Sequence, residues 1–484
     1  MAQELTTTLS KYLAVFAQAH QEFRVPELES VAQLYNFKIH LADDPEERDP
    51  GRPYMIIWLE SEDHARLLAR RCILIKSIYE FYGRGATYEE LHLQNRAKRN
   101  LWERYIPETS FKFFVTAYNH KIPQHRQREV VESFSYMDFM GKIDMKNPEI
   151  TMGCFEEYET GSGKTRERHE GDGNFIQVYF GRLIEEGTAR PLVQLFDVKK
   201  RSYFGNTSME AEISLLMANQ TLACPGKLIY DPFMGTGSMA YPVAYFGAQV
   251  MGSDIDGRQM RGKQTTPGIF RAASQYGVAS RIVDICTFDV TNNPWRRGEL
   301  FDAIITDPPC KYISIYTDGV RAGAKRLGRK KELDADRLAL YHEHRTNPGP
   351  HDSPYIPPTK PYELSDLAVD LVLLARYLLK PGGRLVFFLP TVTDQYEEVD
   401  IYTMLCDGME VIANSLQDFG SWGRRLVTIR KVTSERYPPP AFSTRNAEVE
   451  DETQHVPAHR HFREKYFQGF KKAEVEADHV EDGR

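Results

Sequence analysis

Cysteine is scarce in this 484-residue chain. Its six cysteines stand at positions 72, 154, 224, 286, 310 and 406, and no two of them form a C-x-x-C pair. A disulfide framework needs clustered cysteines and a structural zinc site needs paired thiols, so neither is expected, and a reducing compartment fits. No metal ligands are expected. Long apolar runs are missing too. The longest, LAVDLVLLARYLL (367–379), carries Asp370 and Arg376 and is too short to span a bilayer. The start, MAQELTTTLSKYLAVFAQAHQEF, lacks the basic and uninterrupted apolar regions of a secretion signal. These absences predict a soluble cytoplasmic protein without a membrane partner. An excess of positive charge is also lacking: the net charge is −7, where a nucleic-acid binder is more often basic overall.

What is present is an ordinary globular composition, 41% hydrophobic and 27% charged, long enough for two to four domains. The positive charge that exists is gathered. Residues 96–128 hold Arg96, Lys98, Arg99, Arg104, Lys112, Lys121, Arg126 and Arg128, and residues 321–331 hold Arg321, Lys325, Arg326, Arg329, Lys330 and Lys331. Such runs are commonly solvated faces. Two of them in an acidic chain also suit a local phosphate-binding surface.

The first ~190 residues alternate short strand-like and helix-like pieces, which suggests one or two α+β units. FRVPELESVAQLYN (23–36) has helical spacing, YMIIWLE (54–60) reads as a strand, and SEDHARLLARR (61–71) reads as a helix with Ser61 as N-cap. CILIKSIYEFYG (72–83) and FKFFVTAYNH (111–120) are again strand-like. The GSGKT at 161–165 is no phosphate loop, because Tyr158 stands where the first glycine is required and no apolar strand is expected to lead in.

From about residue 198 the texture becomes α/β. Seven strands are expected: KLIYDP (227–232), AQVMGSD (248–254), RIVDICTFD (281–289), FDAIITDPP (301–309), GRLVFFLP (383–390), MEVIANSL (409–416) and RRLVTIRKV (424–432). Several are continuous apolar runs, as in strands buried on both faces. Helical stretches lie between most of them, notably 362–380 ahead of a Pro-Gly-Gly turn at 381–383. This pattern predicts a doubly wound, mostly parallel sheet. RTNPGPHDSPYIPPTKPYEL (345–364) reads as a long loop, and the tail from about 438 as polar and frayed except around HFREKYFQGF (461–470).

Four features sit on successive strands of this half. DPFMGTGS (231–238) is a glycine turn at a helix start, where the backbone comes close to a ligand. Asp254, ending the next strand, suits a ribose contact, with a helix N-cap as the lesser alternative. Asp289, ending the third, suits an adenine amine or a cap. The fourth strand ends in Thr306-Asp307-Pro308-Pro309, where tandem prolines stiffen the backbone and leave acceptors facing a cleft. An exocyclic base amine is a poor nucleophile, and acceptors on its N–H groups align its lone pair for in-line attack. Together the four indicate an S-adenosylmethionine-dependent methyltransferase core. A dinucleotide enzyme would want glycine where Ala240 stands.

On YFGNTSMEAEISLLMAN (203–219), DPFMGTGS, GSDIDGR (252–258), FDAIITDPP, the HFREKYFQGF tail, AQAHQEFRVPE (17–27) and IDMKNPEITM (143–152), the chain resembles the catalytic subunits of eukaryotic tRNA (guanine-10-N2)-methyltransferases along nearly its whole length. The resemblance implies a ferredoxin-like α+β domain at 1–100 and a THUMP domain gripping tRNA at 101–197. It further implies a seven-stranded Rossmann-like class I methyltransferase domain at 198–437 and a tail at 438–484. It implies that Phe204, Asn206 and Thr207 pack over the methionine end of S-adenosylmethionine, although a helix cap would also explain Asn206 and Thr207. Asp231, Gly235 and Gly237 would form the cofactor turn, Asp254 would meet the ribose and Asp289 the adenine. Asp307, with Pro308 and Pro309, would hold the guanine N2 amine. A small zinc-binding activator subunit would pair with the sheet edge near the third strand.

One stretch departs from the family pattern, which continues Asp-Pro-Pro-Tyr-Gly. Here CKYISIYTD (310–318) separates Pro309 from Gly319-Val320-Arg321. Cys-Lys-Tyr can be encoded TGT AAG TAT, which contains the splice-donor sequence GTAAGT. Thr-Asp can be encoded ACA GAC, which contains the acceptor CAG. Excision joins T to AC and gives a tyrosine codon in frame with Gly319. We read 310–318 as translated intron. The rivals are a true insertion in which Tyr312 or Tyr316 supplies the ring, a catalytically silent tRNA-binding form, and, least suited to amine methylation, Cys310 as a nucleophile. Sequencing the dominant transcript should show these nine codons replaced by one for tyrosine; their persistence refutes the intron reading.

Overall fold

The computed structural model describes residues 9–49, 51–118, 120–159, 174–205, 208–266, 268–309, 325–327, 339, 359–361, 364–420, 422–442 and 458–459. The chain divides into two units, residues 1–192 and 193–484.

Alternation of apolar side chains builds the first unit around one sheet. Its strands are β1 (Ser10–Phe16), β2 (His40–Leu41), β3 (Tyr54–Leu59), β4 (Ile75–Gly85), β5 (Phe111–Ala117), β6 (Ile150–Tyr158) and β7 (Phe175–Glu186), in the order β2-β3-β1-β4-β7-β6-β5. Only β5 and β6 pair in parallel. On one face Met152, Cys154, Val178 and Phe180 pack with Leu91 and Val130 from the helices Tyr88–Ala97 and Gln124–Ser133. The residues between them point the other way: Leu13, Tyr54, Tyr79, Phe81, Phe155 and Tyr179 form an aromatic cluster drawn from strands alone.

The expected helices stand at Arg24–Leu34 and Glu62–Arg71, and the Ser61 hydroxyl accepts the His64 N–H at 3.3 Å. One expectation is overturned. A strand, β6, does lead into GSGKT, ending at Tyr158. It escaped notice because Glu156 and Glu157 interrupt its apolar pattern. Both are buried and paired: Glu156 accepts the Tyr88 hydroxyl at 2.6 Å, and Glu157 accepts Arg52 Nη2 at 2.7 Å. The tyrosine in place of glycine still excludes the phosphate loop.

Glu27 ties the first helix to the sheet. It is 1% exposed, and its two oxygens accept the backbone N–H groups of Ile73 at 2.7 Å and Leu74 at 3.0 Å. Removing it strands two buried donors at ~1–3 kcal/mol each. Glu27→Ala should therefore destabilise the protein by about 2–6 kcal/mol in urea unfolding.

All seven strands expected in the second unit are present: β8 (Leu228–Asp231), β9 (Gln249–Asp254), β10 (Ile282–Thr287), β11 (Phe301–Thr306), β14 (Leu379–Val392), β15 (Met409–Asp418) and β16 (Trp422–Lys431). A separate pair, β12 (Lys325–Leu327) and β13 (Thr359–Pro361), runs antiparallel. The large sheet has the order β10-β9-β8-β11-β14-β16-β15, with only β16 reversed. This is the seven-stranded class I methyltransferase arrangement. The helix Leu364–Leu378 covers the core around Phe301, Ile304 and Leu385. The Pro-Gly-Gly segment is a bulge inside β14 instead of a turn before it. Register with β11 slips between Phe301↔Leu379 and Ala303↔Arg384, and Gly382 takes φ +77°.

The winding reverses between β8 and β11: β9 and β10 lie on one side of β8, β11 and β14 on the other. In such sheets the ligand crevice opens at the carboxyl ends of the two strands flanking the reversal. Asp231 ends β8, and Asp307 follows β11 directly. The segment 310–318, almost all of 345–364 and the tail motif 462–470 lie outside the described residues. Among the described residues no helix is long and apolar enough to cross a membrane, and no group of three or more His, Cys, Asp or Glu is placed to hold a metal ion.

Candidate active site

Asp231 is fully buried. Its Oδ1 accepts the Thr306 hydroxyl at 2.9 Å and the Phe233 N–H at 3.0 Å, while its Oδ2 is sealed from solvent without a partner among the described residues. Burial, with the charges of Asp254 and Asp307 adding to it against those hydrogen bonds, pushes the carboxyl up to about 8. Asp307 is partly buried, and its Oδ1 likewise has no partner among the described residues. Burial raises its carboxyl to about 6, opposed by the positive charge of Arg424. Pro308 is buried and Pro309 partly so; neither has an N–H to answer these acceptors. Two carboxylate oxygens on neighbouring strands are thus free to take N–H donors or to face a cation.

The glycine turn follows Asp231. Gly235 and Gly237 adopt φ of +52° and +81°, which glycine takes without strain. At Gly237 a Cβ would also come within 2.9 Å of the Tyr241 hydroxyl. Asp254 is pinned to this turn: its Oδ2 accepts the Gly235 N–H at 2.9 Å and its Oδ1 the Asp256 N–H at 2.8 Å. Asp289 is 2% exposed and caps a short turn, its Oδ1 accepting the N–H and hydroxyl of Thr291, each at 2.8 Å. The cap expected as one alternative there is real.

Asn206 and Thr207 lie outside the described residues. Phe204, on the same segment, is 54% exposed. Its neighbours stitch that segment to the turn. The Ser208 and Thr236 hydroxyls are 2.8 Å apart, and the Met209 N–H donates to Ser238 Oγ at 3.1 Å. Ser238 also accepts Arg201 Nη1 at 2.9 Å. The structure therefore brings Asp231, Gly235, Gly237, Asp254 and Asp307 to one crevice, with the Phe204 segment fastened to its glycine wall. Thr306, Ser208, Ser238, Arg201 and Arg424 went unremarked as site residues in the sequence. Thr306 and Ser208 sat inside the motifs themselves; Arg424, more than a hundred residues from Asp307, left no signal.

Residues 10–189 match the family described as Tmrp11 THUMP N-terminal domain. The chain is 36% identical to the tRNA (guanine(10)-N(2))-methyltransferase of Saccharomyces cerevisiae, over 87% of this chain and 92% of that protein. This chain belongs to the tRNA (guanine(10)-N(2))-methyltransferase family. The Schizosaccharomyces pombe member is 33% identical, covering 95% and 96% of the two chains. Human TRMT11 is 32% identical over 97% of each.

The buried carboxyls give this family member a pH signature. A group whose folded pKa lies above its unfolded value stabilises the fold at low pH, and that contribution is lost as pH rises through the folded pKa. Asp231 and Asp307 are raised from 3.8 to about 8 and about 6. The ligand-free protein should lose stability between about pH 4 and pH 8, and Asp231→Asn should flatten that slope, as measured by denaturant unfolding at pH 5 and pH 8.

Proposed function

We propose that this protein transfers a methyl group from S-adenosylmethionine to the exocyclic N2 amine of guanine 10 in tRNA. The observation that carries the reading is the Asp307 carboxylate oxygen left without a partner among the described residues at the crevice where β8 and β11 diverge, in a chain of this family. S-adenosylmethionine, when bound, supplies an electrophilic methyl group on a sulfonium. Every other part of the reaction falls to the chain. The glycine turn at Gly235 and Gly237 approaches the cofactor with its backbone, Asp254 and Asp289 meet ribose and adenine, and Asp231 faces the positive charge. Phe204, Asn206 and Thr207 close over the methionine end. Asp307 accepts an N–H of the guanine amine and turns its lone pair toward the methyl, on a backbone stiffened by Pro308 and Pro309.

The fit to a cationic ligand is physical. Buried carboxyls raised to about 6 and about 8 recover their ionised state when a positive charge enters beside them. Residues 1–100 and 101–197 would serve as the ferredoxin-like and THUMP parts that present the tRNA, residues 198–437 as the transferase and 438–484 as a tail. The activator would be a small zinc-binding subunit docking along β10. This is one of the two edge strands of the sheet, and its Val283 is 53% exposed. A cytoplasmic location accords with that substrate and with the absence, among the described residues, of a membrane-crossing helix. No observation favours a silent RNA-binding form.

With labelled cofactor and tRNA, label should appear on guanine N2. Asp307→Ala should cost at least ~100-fold in single-turnover rate, of the order seen when one positioned transition-state group is lost, while cofactor affinity stays within about threefold. Methylation of another base, or an undiminished Asp307→Ala rate, refutes the assignment.

A further inference from the structure

Asp231 and Asp307 stand at one crevice, yet their electrostatic surroundings differ. The charges acting on Asp231 are those of Asp254 and Asp307, both acidic. The charge acting on Asp307 is that of Arg424. The ionisable groups these contacts bring to the crevice are Asp231 on β8, Asp254 on β9, Asp307 after β11, Arg424 on β16 and Glu210, the N-cap of the helix Ala211–Gln220. Arg424 is the cation among them.

Topology brings Arg424 to the reacting carboxylate from the far side of β14. β11, β14 and β16 are neighbours in that order, Thr306 pairs with Phe387, and Pro390 pairs with Arg424. β11 and β14 run parallel and β16 is reversed, so the start of β16 shares the edge where Asp307 follows β11. The guanidinium is held on several sides. Its Nη2 donates to Gln417 Oε1 at 2.7 Å and lies 3.8 Å from Glu210 Oε1. Its Nη1 donates to Met209 Sδ at 3.6 Å, and the Phe388 ring centroid is 4.7 Å away. Gln417 donates in turn to Glu210 Oε1 at 2.7 Å, and the Met209 N–H joins the glycine turn through Ser238. None of these bonds goes to Asp307 Oδ1, which has no partner among the described residues. A direct ion pair would occupy the oxygen that an amine needs. A cation tethered to Gln417 and Glu210 lends its charge and leaves the acceptor free.

We propose that Arg424 is a positioning residue for the transfer: held off by Gln417, Glu210 and Met209, it keeps the Asp307 carboxyl ionised as the acceptor for the target amine. This rests on the transferase reading above. Two acids at one crevice take different parts when their surroundings set them apart. Asp231, with acidic neighbours, is left to receive the charge of the cofactor. Asp307, with Arg424 beside it, is an anion before the amine arrives. The same guanidinium touches the segment that leads to the glycine turn, so its place is tied to the cofactor wall.

The test uses the full chain with tRNA at saturating cofactor and follows kcat/KM for tRNA across the acid and neutral range. An essential carboxylate gives that profile an acid limb. Arg424→Gln should move the midpoint of the limb up by about one pH unit, the low end of what one opposite charge supplies. The wild-type-to-variant ratio should be roughly tenfold on the acid side, as that shift requires, and should narrow as pH rises. Arg424→Lys should return the midpoint toward the wild-type value, because it restores the charge without the fork. A second measurement needs no catalysis. The difference in urea-unfolding stability between the protein and its Asp307→Asn variant falls as pH rises, then levels off above the folded pKa of Asp307. Arg424→Gln should move that levelling point upward, and Arg424→Lys should return it. An equal loss at every pH, failure of lysine to restore the midpoint, or an unmoved levelling point would overturn the proposal. So would a raised KM for tRNA with a salt slope smaller by about one and an unmoved pH profile, which would make Arg424 a phosphate contact. If the wild type methylates a different base, the transferase reading fails; the unfolding comparison still decides whether Arg424 sets the charge of Asp307.

Discussion

Two carboxylate oxygens held out of water without partners among the described residues, Asp231 Oδ2 and Asp307 Oδ1, are the constraint around which the catalytic unit is arranged. Burying an acid without compensation is costly, and proteins normally escape the cost by pairing or by protonation. Here Thr306 and the Phe233 N–H satisfy only one oxygen of Asp231. No described residue answers the second oxygen. The sheet makes this possible because its winding reverses between β8 and β11, so that two acids ending adjacent parallel strands meet at one crevice.

Around that crevice the polar contacts hold backbone more than they hold each other. Asp254 fixes the glycine turn through the Gly235 N–H, and Ser208 and Ser238 fasten the preceding segment to the same turn. A site built this way presents a stiff wall along the glycine turn. The opposite rim, where Arg424 lies over Phe388 and Phe419, is aromatic and partly open.

The N-terminal unit answers a different demand. Its single sheet is covered by helices on one face and lined by aromatics on the other. Buried charges inside it, such as Glu27, Glu156 and Glu157, are each matched by donors on other elements, so they consume no ligand. Equivalent residue types therefore mean different things in the two units, and satisfaction of their hydrogen bonds is what separates them.

The seven strands of the catalytic sheet were legible in the chain because parallel strands buried on both faces are nearly unbroken apolar runs. The motifs were legible because a glycine turn and an Asp-Pro-Pro end carry backbone requirements that few other residues meet. Strands β1, β6 and β7 were not. Ser10–Phe16 opens on two exposed residues, Ser10 and Lys11, Ile150–Tyr158 contains two adjacent glutamates, and Phe175–Glu186 carries Arg182. The charges in the last two are matched by partners far away in sequence, as Glu62 and Glu80 do for Arg182. The same holds for the site. By itself the sequence determined that acids end three successive strands and that the fourth ends in Asp-Pro-Pro. Only the tertiary structure decided that Asp231 and Asp307 would each keep an oxygen unanswered among the described residues, that Asp289 would cap a short turn, and that the charge of Arg424 would act on Asp307. Hydrogen-bond satisfaction and burial are sums over neighbours from distant segments, and no local pattern records them.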